Sequence, residues 1–166
     1  MLTAPNTILV ITATTTALMA GLFYSYSCSV NLGLGRLPDA AYITSMISIN
    51  RAIQNPVFFI SFLGTPLLLP LSTYLNYGQP ISIRFWFLLV ATVVYLIGVF
   101  GVTVLGNIPL NRMLDVFDIQ AASMEEIARQ RVKFEGPWNK LNNIRTLAST
   151  LAIILVVIAC LNRPKG

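Results

Sequence analysis

An arginine and a set of asparagines are the residues of this chain whose types and spacing are best suited to chemistry. Arg145 stands inside an apolar stretch with no other charge until Arg163. A cation so placed faces the interior of a helical bundle or snorkels to the membrane interface. At 100° per residue, Trp138, Asn142, Arg145 and Ser149 share one helical face. Other polar residues gather at the ends of neighbouring apolar stretches: Tyr24 and Asn31; Asn50, Arg51 and Asn55; and Asn107 and Asn111 on either side of Pro109. Amides both donate and accept hydrogen bonds, so a cup of them with a guanidinium suits a neutral or anionic polar group on a mostly apolar ligand. Helix caps and interfacial anchors explain any one of these residues equally well. The shared face around Arg145, and Asn50 lying within an apolar stripe, fit that simpler explanation least.

The missing chemistry is as informative. The sequence has no histidine, which removes the commonest ligand for transition metals, and neither a metal site nor a cofactor is expected. Cys28 and Cys160 fall late in the first and last apolar stretches, at opposite faces of a four-pass bundle and roughly 30 Å apart, too far for a disulfide. The net charge of +5 comes from basic residues that form no run or stripe, so nucleic acid is not an expected partner.

These residues must be positioned by membrane helices. Over 166 residues the chain is 55% hydrophobic and only 10% charged, too few charges to coat a water-facing surface. Apolar stretches at about 7–30, 57–75, 85–105 and 142–161 are each near the roughly 20 residues a spanning helix needs. The expected fold is all-α: a four-helix transmembrane bundle with an additional interfacial helix in the first loop and a helical segment in the third, forming one transmembrane domain over 1–166. The first stretch is read as a retained span, because its leader Met1–Asn6 lacks Lys and Arg and the apolar run continues past Ala20. Small residues at Ala13, Ala17, Gly21, Ser25 and Ser29 are expected to let a neighbouring helix approach closely.

Pro38 and Asp39 open the first-loop helix, whose stripe of Ile43, Met46, Ile47 and Ile53 contains Asn50 and Gln54 and should turn both amides toward protein. Pro66 and Pro70 should kink the second span. Ser123 with Glu126 reads as a capping box, Glu125–Arg129 and Arg131–Glu135 as pairs one turn apart, and Gly136-Pro137 as a stop. With eight Lys and Arg on the side of loops one and three, against Arg84, Arg163 and Lys165 on the other, those loops are expected to be cytoplasmic.

Gly21-Leu22-Phe23-Tyr24-Ser25, Ile49-Asn50-Arg51-Ala52, Asn55-Pro56-Val57-Phe58-Phe59, Asn107-Ile108-Pro109-Leu110-Asn111, and Trp138 with Asn142-Asn143-Ile144-Arg145-Thr146 follow one another in a familiar order. From about Gly21 to the end of the fourth span, the chain resembles a four-helix integral membrane family that includes fungal anthrone oxygenase-like proteins. The resemblance implies a four-helix membrane fold and oxidation of an electron-rich polycyclic phenol to a quinone by dioxygen, without metal or flavin. Where relatives carry His after the Asn of span four, this chain has Asn143, whose amide is no base near neutrality.

The expectation is a membrane protein binding a small lipophilic molecule in a polar cup at one side of the bundle, anthrone oxygenase-like in its chemistry. Arg145 would stabilise an enolate or phenolate. Asn50, Arg51, Asn107, Asn111 and Asn142 would bind and orient it, and Tyr24 and Trp138 would form walls. The alternative is a non-catalytic structural or partner subunit of a membrane complex. A transporter ranks last, because the spans hold no Asp or Glu to relay protons or bind cations. Membrane lipid and the lipophilic ligand are the expected partners, with a homo-oligomer left open.

Overall fold

A computed structural model describes residues 3–78 and 80–162, so Arg163 and Lys165 of the charge count lie outside the described residues. Helices α1 (Ala4–Leu34), α3 (Pro56–Leu75), α4 (Ile83–Asp115) and α5 (Met124–Leu161) are each long and apolar enough to cross a membrane. Helix α2 (Asp39–Ala52) lies in the loop between α1 and α3. The result is the four-helix transmembrane bundle, with one apolar core along the spans and a second at the end carrying α2 and the α4–α5 loop.

Helix α1 faces the bundle with Leu9, Thr12, Thr16, Met19 and Phe23. This corrects the expected packing stripe: Ala17, Gly21, Ser25 and Ser29 are exposed, and a Cβ added at Gly21 would meet nothing within 4 Å. Hydroxyls make the contacts instead. Thr12 Oγ1 and Ser72 Oγ are 2.7 Å apart between α1 and α3, and Thr73 and Thr92 hydroxyls are 2.9 Å apart between α3 and α4. Such bonds join helices where lipid supplies no hydrophobic driving force. Helix α3 starts where Asn55 Oδ1 accepts the Phe58 N–H at 3.1 Å, and it runs unbroken over Pro66 and Pro70.

Two helices run past their expected ends. The helix that holds the third span does not stop near 105 but continues through Asn107, Pro109 and Asn111 to Asp115. A π-helical turn at Thr103–Asn107 immediately precedes Pro109. Widening the helix there accommodates a ring that would otherwise strike the preceding turn. Nor does Gly136-Pro137 end a helix: the third-loop segment and the fourth span are one 38-residue helix, α5. Phe134 and Trp138, on either side of the proline, are both buried with their rings stacked at 6.2 Å. Packing on both sides offsets an interior proline that costs roughly 3 kcal/mol.

The capping box holds at the start of α5, with Glu126 Oε2 accepting the Ser123 N–H at 2.8 Å. Arg131, about two turns into α5, clamps the first loop. Its guanidinium donates to the Leu37, Gly35 and Asp39 oxygens at 2.7, 2.9 and 2.8 Å, pairs with Glu135 at 2.7 Å, and lies 4.5 Å from the Tyr42 ring centre. The Glu125–Arg129 pair is exposed at 3.9 Å and contributes little. Burial, helped by Glu135, pushes the Tyr42 phenol well above its ordinary pKa, with Arg131 pulling the other way. Tyr42, Ile43 and Met46 then bury α2 against Phe134 and Trp138.

Helices α4 and α5 pack tightly at two glycines of α4. A Cβ at Gly98 would fall 2.6 Å from the Ala148 Cβ, and one at Gly106 would fall 2.8 Å from a Leu141 methyl. The Ala148 Cβ is anchored to backbone and cannot swing away. Gly98→Ala should therefore destabilise the protein by about 1–3 kcal/mol, and Gly21→Ala by less than about 0.5 kcal/mol. Thermal unfolding in detergent measures both.

Candidate functional site

A cavity of about 390 Å³ opens at the loop end of the bundle, within the roughly 300–1,000 Å³ of small-molecule sites. All five helices contribute to it. Its depth is formed by Phe23 of α1, Phe62 of α3, and Trp138, Asn142 and Arg145 of α5, all buried. Tyr26, Phe58 and Phe59 add aromatic wall, while Asn50, Arg51 and Gln54 from the α2 end and Asn111, Arg112 and Asp115 from the end of α4 surround the mouth.

Arg145 is 6% exposed. Its guanidinium carbon lies 4.5 Å from the Phe23 ring centre and 5.3 Å from that of Trp138. One terminal nitrogen donates to Asn142 Oδ1 at 2.9 Å and the other reaches Thr103 Oγ1 at 3.5 Å, while Nε has no hydrogen-bond partner. Among the described residues no carboxylate lies within ion-pair distance of it. Aromatic faces and neutral hydrogen bonds recover only part of the hydration a buried cation loses. The guanidinium therefore makes the cavity floor electropositive.

A hydrogen-bond network holds the guanidinium in place. Asn142 Nδ2 donates to Ser27 Oγ at 2.9 Å and to the Phe23 carbonyl at 3.3 Å, which orients its Oδ1 toward Arg145. Thr146 Oγ1 donates to the same carbonyl at 2.9 Å and meets Ser27 Oγ at 2.8 Å. Trp138 Nε1 donates to Asn111 Oδ1 at 2.9 Å, tying the aromatic wall to α4. The π-helical turns at Tyr26–Val30 and Thr103–Asn107 carry Tyr26 and Ser27, and Thr103. Such turns often occur at functional sites because they re-aim side chains out of helical register.

The structure brings Asn50, Arg51, Asn111, Trp138, Asn142 and Arg145 together around the cavity. Two residues expected there lie elsewhere. Tyr24 is 59% exposed on the outside of α1 and lines no wall; Tyr26 is there instead, its ring 5.5 Å from Trp138. Two positions turn a helix by about 200°, which carries Tyr24 to the opposite side. Asn107 is 1% exposed and off the cavity wall, with neither amide atom hydrogen-bonded. It lies between Thr103 and Asn111 along α4. The sequence reading also missed Phe58, Phe59 and Phe62, although an aromatic run directly after a helix-capping Asn-Pro was there to be noticed. Asn143 is exposed and off the wall, its Oδ1 accepting from Ser27 Oγ at 3.0 Å. A base at position 143 would therefore not stand on the cavity wall. No group of three or more His, Cys, Asp or Glu able to hold a metal occurs among the described residues.

Fold and site together define a four-span helical membrane protein with an aromatic-walled cavity floored by an arginine. Residues 56–155 match the family described as anthrone oxygenase, and the chain belongs to that family. The matched stretch covers α3, α4 and most of α5, while the Phe23, Tyr26 and Asn50 side of the cavity lies before it. No curated protein and no solved structure matches the chain.

Asn142→Ala removes three hydrogen bonds from the network and leaves the buried guanidinium with less support. It should cost about 1–3 kcal/mol, whereas Asn143→Ala, losing one exposed bond, should stay within about 0.5 kcal/mol. Equal losses in chemical denaturation would contradict this difference.

Proposed function

We propose that the cavity binds a lipophilic polycyclic phenol of the anthrone class as its oxyanion, and that the protein promotes oxidation of that ligand by dioxygen to the quinone. The observation carrying this reading is Arg145, a buried guanidinium on the cavity wall to which no carboxylate is paired among the described residues. The family's description points to the same substrate class.

An anthrone has a methylene group between two aryl rings, opposite a carbonyl. Loss of a methylene proton gives an enolate whose charge is shared between the oxygen and the former methylene carbon. With the oxygen against Arg145, a fixed positive charge in a low-dielectric site favours the anion and lowers the barrier to forming it. Asn142 keeps the guanidinium aimed, while Phe23, Trp138 and Tyr26 hold the rings. The proton leaves toward the mouth, where Asp115 is the carboxylate on the wall. The electron-rich carbon then reduces dioxygen and bonds to it. Protonation gives a hydroperoxide, and loss of water leaves the second carbonyl, so one methylene and one O₂ become one carbonyl and one H₂O.

Purified protein in detergent should raise quinone formation from a hydroxyanthrone above the spontaneous rate, followed by absorbance. Arg145→Gln should lower the protein-dependent rate about 100-fold, the size expected when a principal oxyanion-stabilising group is lost. A variant with full activity overturns the mechanism. A wild-type protein that neither turns over nor binds the hydroxyanthrone, while Arg145→Gln merely lowers stability, supports a structural subunit instead.

A further inference from the structure

The residues lining the cavity are unevenly exposed. Those from α1 and α5 are all buried or half-buried. The exposed ones are Arg51 and Gln54 at the end of α2, Phe59 of α3, and Arg112 and Asp115 of α4. The cavity therefore opens between α3 and α4, beneath the end of α2. Deeper in the bundle these two helices pack together, with the Phe62 and Phe100 rings 5.5 Å apart. Nearer the loops the cavity stands between them, with Phe58 and Phe59 on one side and Ile108 and Asn111 on the other. Phe59 belongs to the first turns of a spanning helix, and Val57, Ile60 and Leu63 around it are exposed, as is Leu105 of α4. Exposed apolar side chains on a spanning helix face lipid. The opposite edge of the opening is charged. There Arg51 Nε meets Asp115 Oδ1 at 2.7 Å, an ion pair that crosses from the corner between α2 and α3 to the last turn of α4.

We infer that the ligand enters from the bilayer, sideways between α3 and α4, and that the Arg51–Asp115 ion pair is the bar across the charged edge of that entrance. This rests on the reading of the cavity given above and adds the route by which its substrate arrives. A polycyclic phenol in a membrane keeps its rings in the apolar region and its hydroxyls near the headgroups, as amphipathic aromatic side chains do. The entrance has the same order, with Phe59 toward hydrocarbon and the charged residues toward the headgroups. Entry along this path spares the rings a passage through water. Both partners of the ion pair are at least half exposed, and such pairs are weak, so the bar opens without disturbing the packed bundle. Breaking it changes how fast the ligand passes and leaves the hold of the cavity floor as it was.

The test uses the full chain in phosphatidylcholine vesicles, with Cys28→Ser and Cys160→Ser to remove the free thiols and Trp86→Phe so that Trp138 on the cavity wall alone reports. Uptake and release of a dihydroxyanthraquinone are followed by quenching of its fluorescence. Phe59→Cys carrying a bulky maleimide should slow both rates about tenfold, within the range over which access alters association. The same modification at Leu147→Cys, on the lipid-facing side of α5 and off the cavity, should slow neither. A fluorescent label at position 59 should be quenched by nitroxide-bearing lipid and shielded from aqueous iodide. Arg51→Gln should speed uptake and release alike by about threefold, the scale of one exposed ion pair, with Kd unchanged. Arg51→Asp combined with Asp115→Arg should restore the slower rates. Quenching at position 59 by iodide alone, or rates indifferent to the bulky group there, would overturn the membrane route and leave entry from water. Rates unmoved by Arg51→Gln, or a changed Kd with unchanged uptake, would overturn the bar. If the unmodified protein takes up no dihydroxyanthraquinone, the reading of the cavity itself fails and takes this inference with it. If uptake is intact but indifferent to position 59, only the route is lost.

Discussion

A guanidinium buried among membrane helices, with no carboxylate paired to it among the described residues, constrains everything around it. Arg145 has been taken out of water, and its compensation comes from two aromatic faces, an amide oxygen and a distant hydroxyl. Each of those partners must in turn be held. Asn142 can present its oxygen only because its Nδ2 is occupied by Ser27 and the Phe23 carbonyl. Trp138 can offer its face only because Asn111 fixes its indole N–H. The cavity is therefore a consequence of the support one charge requires, drawn from α1, α4 and α5 together.

The rest of the fold supplies rigidity for that arrangement. Helix α5 carries Trp138, Asn142 and Arg145 as a single rod across Pro137, so the aromatic wall and the cation cannot move independently. Glycines at 98 and 106 bring α4 close enough to α5 for Thr103 and Asn111 to reach their partners. At the loop end, Arg131 gathers three oxygens of the first loop and Glu135, fixing the start of α2. That contact sets where Asn50 and Arg51, at the other end of α2, meet the cavity.

Much of this was legible in the sequence, and the parts that were not share a cause. The four spans announce themselves because lipid tolerates only long apolar helices. The face bearing Trp138, Asn142, Arg145 and Ser149 could be read because α5 is regular there, and all four are buried. Errors arose where local residue preference competed with tertiary packing. Pro109 and Pro137 look like helix ends, yet a π-helical turn absorbs the first and two buried aromatics carry the helix past the second. The small-residue stripe of α1 looks like a packing face, but hydroxyl bonds from Thr12 turn the opposite face inward. Tyr24 and Tyr26 are two positions apart on one helix. The spacing of Thr12, Thr16, Met19 and Phe23 already pointed to Tyr26, since the next step of three lands on it.

Membership of the anthrone oxygenase family and a cavity floored by an unpaired arginine lead to one physical claim: the site binds an anion and shifts its ligand toward the ionised form. The direct measurement is the absorption spectrum of a bound hydroxyanthraquinone across a pH titration. A positive charge in contact with the phenolic oxygen stabilises phenolate over phenol. The bound ligand should therefore show the red-shifted phenolate band at a lower pH than the free ligand, and Arg145→Gln should return the transition to its free value. A bound ligand that stays neutral to the same pH as, or a higher pH than, the free ligand would contradict the claim.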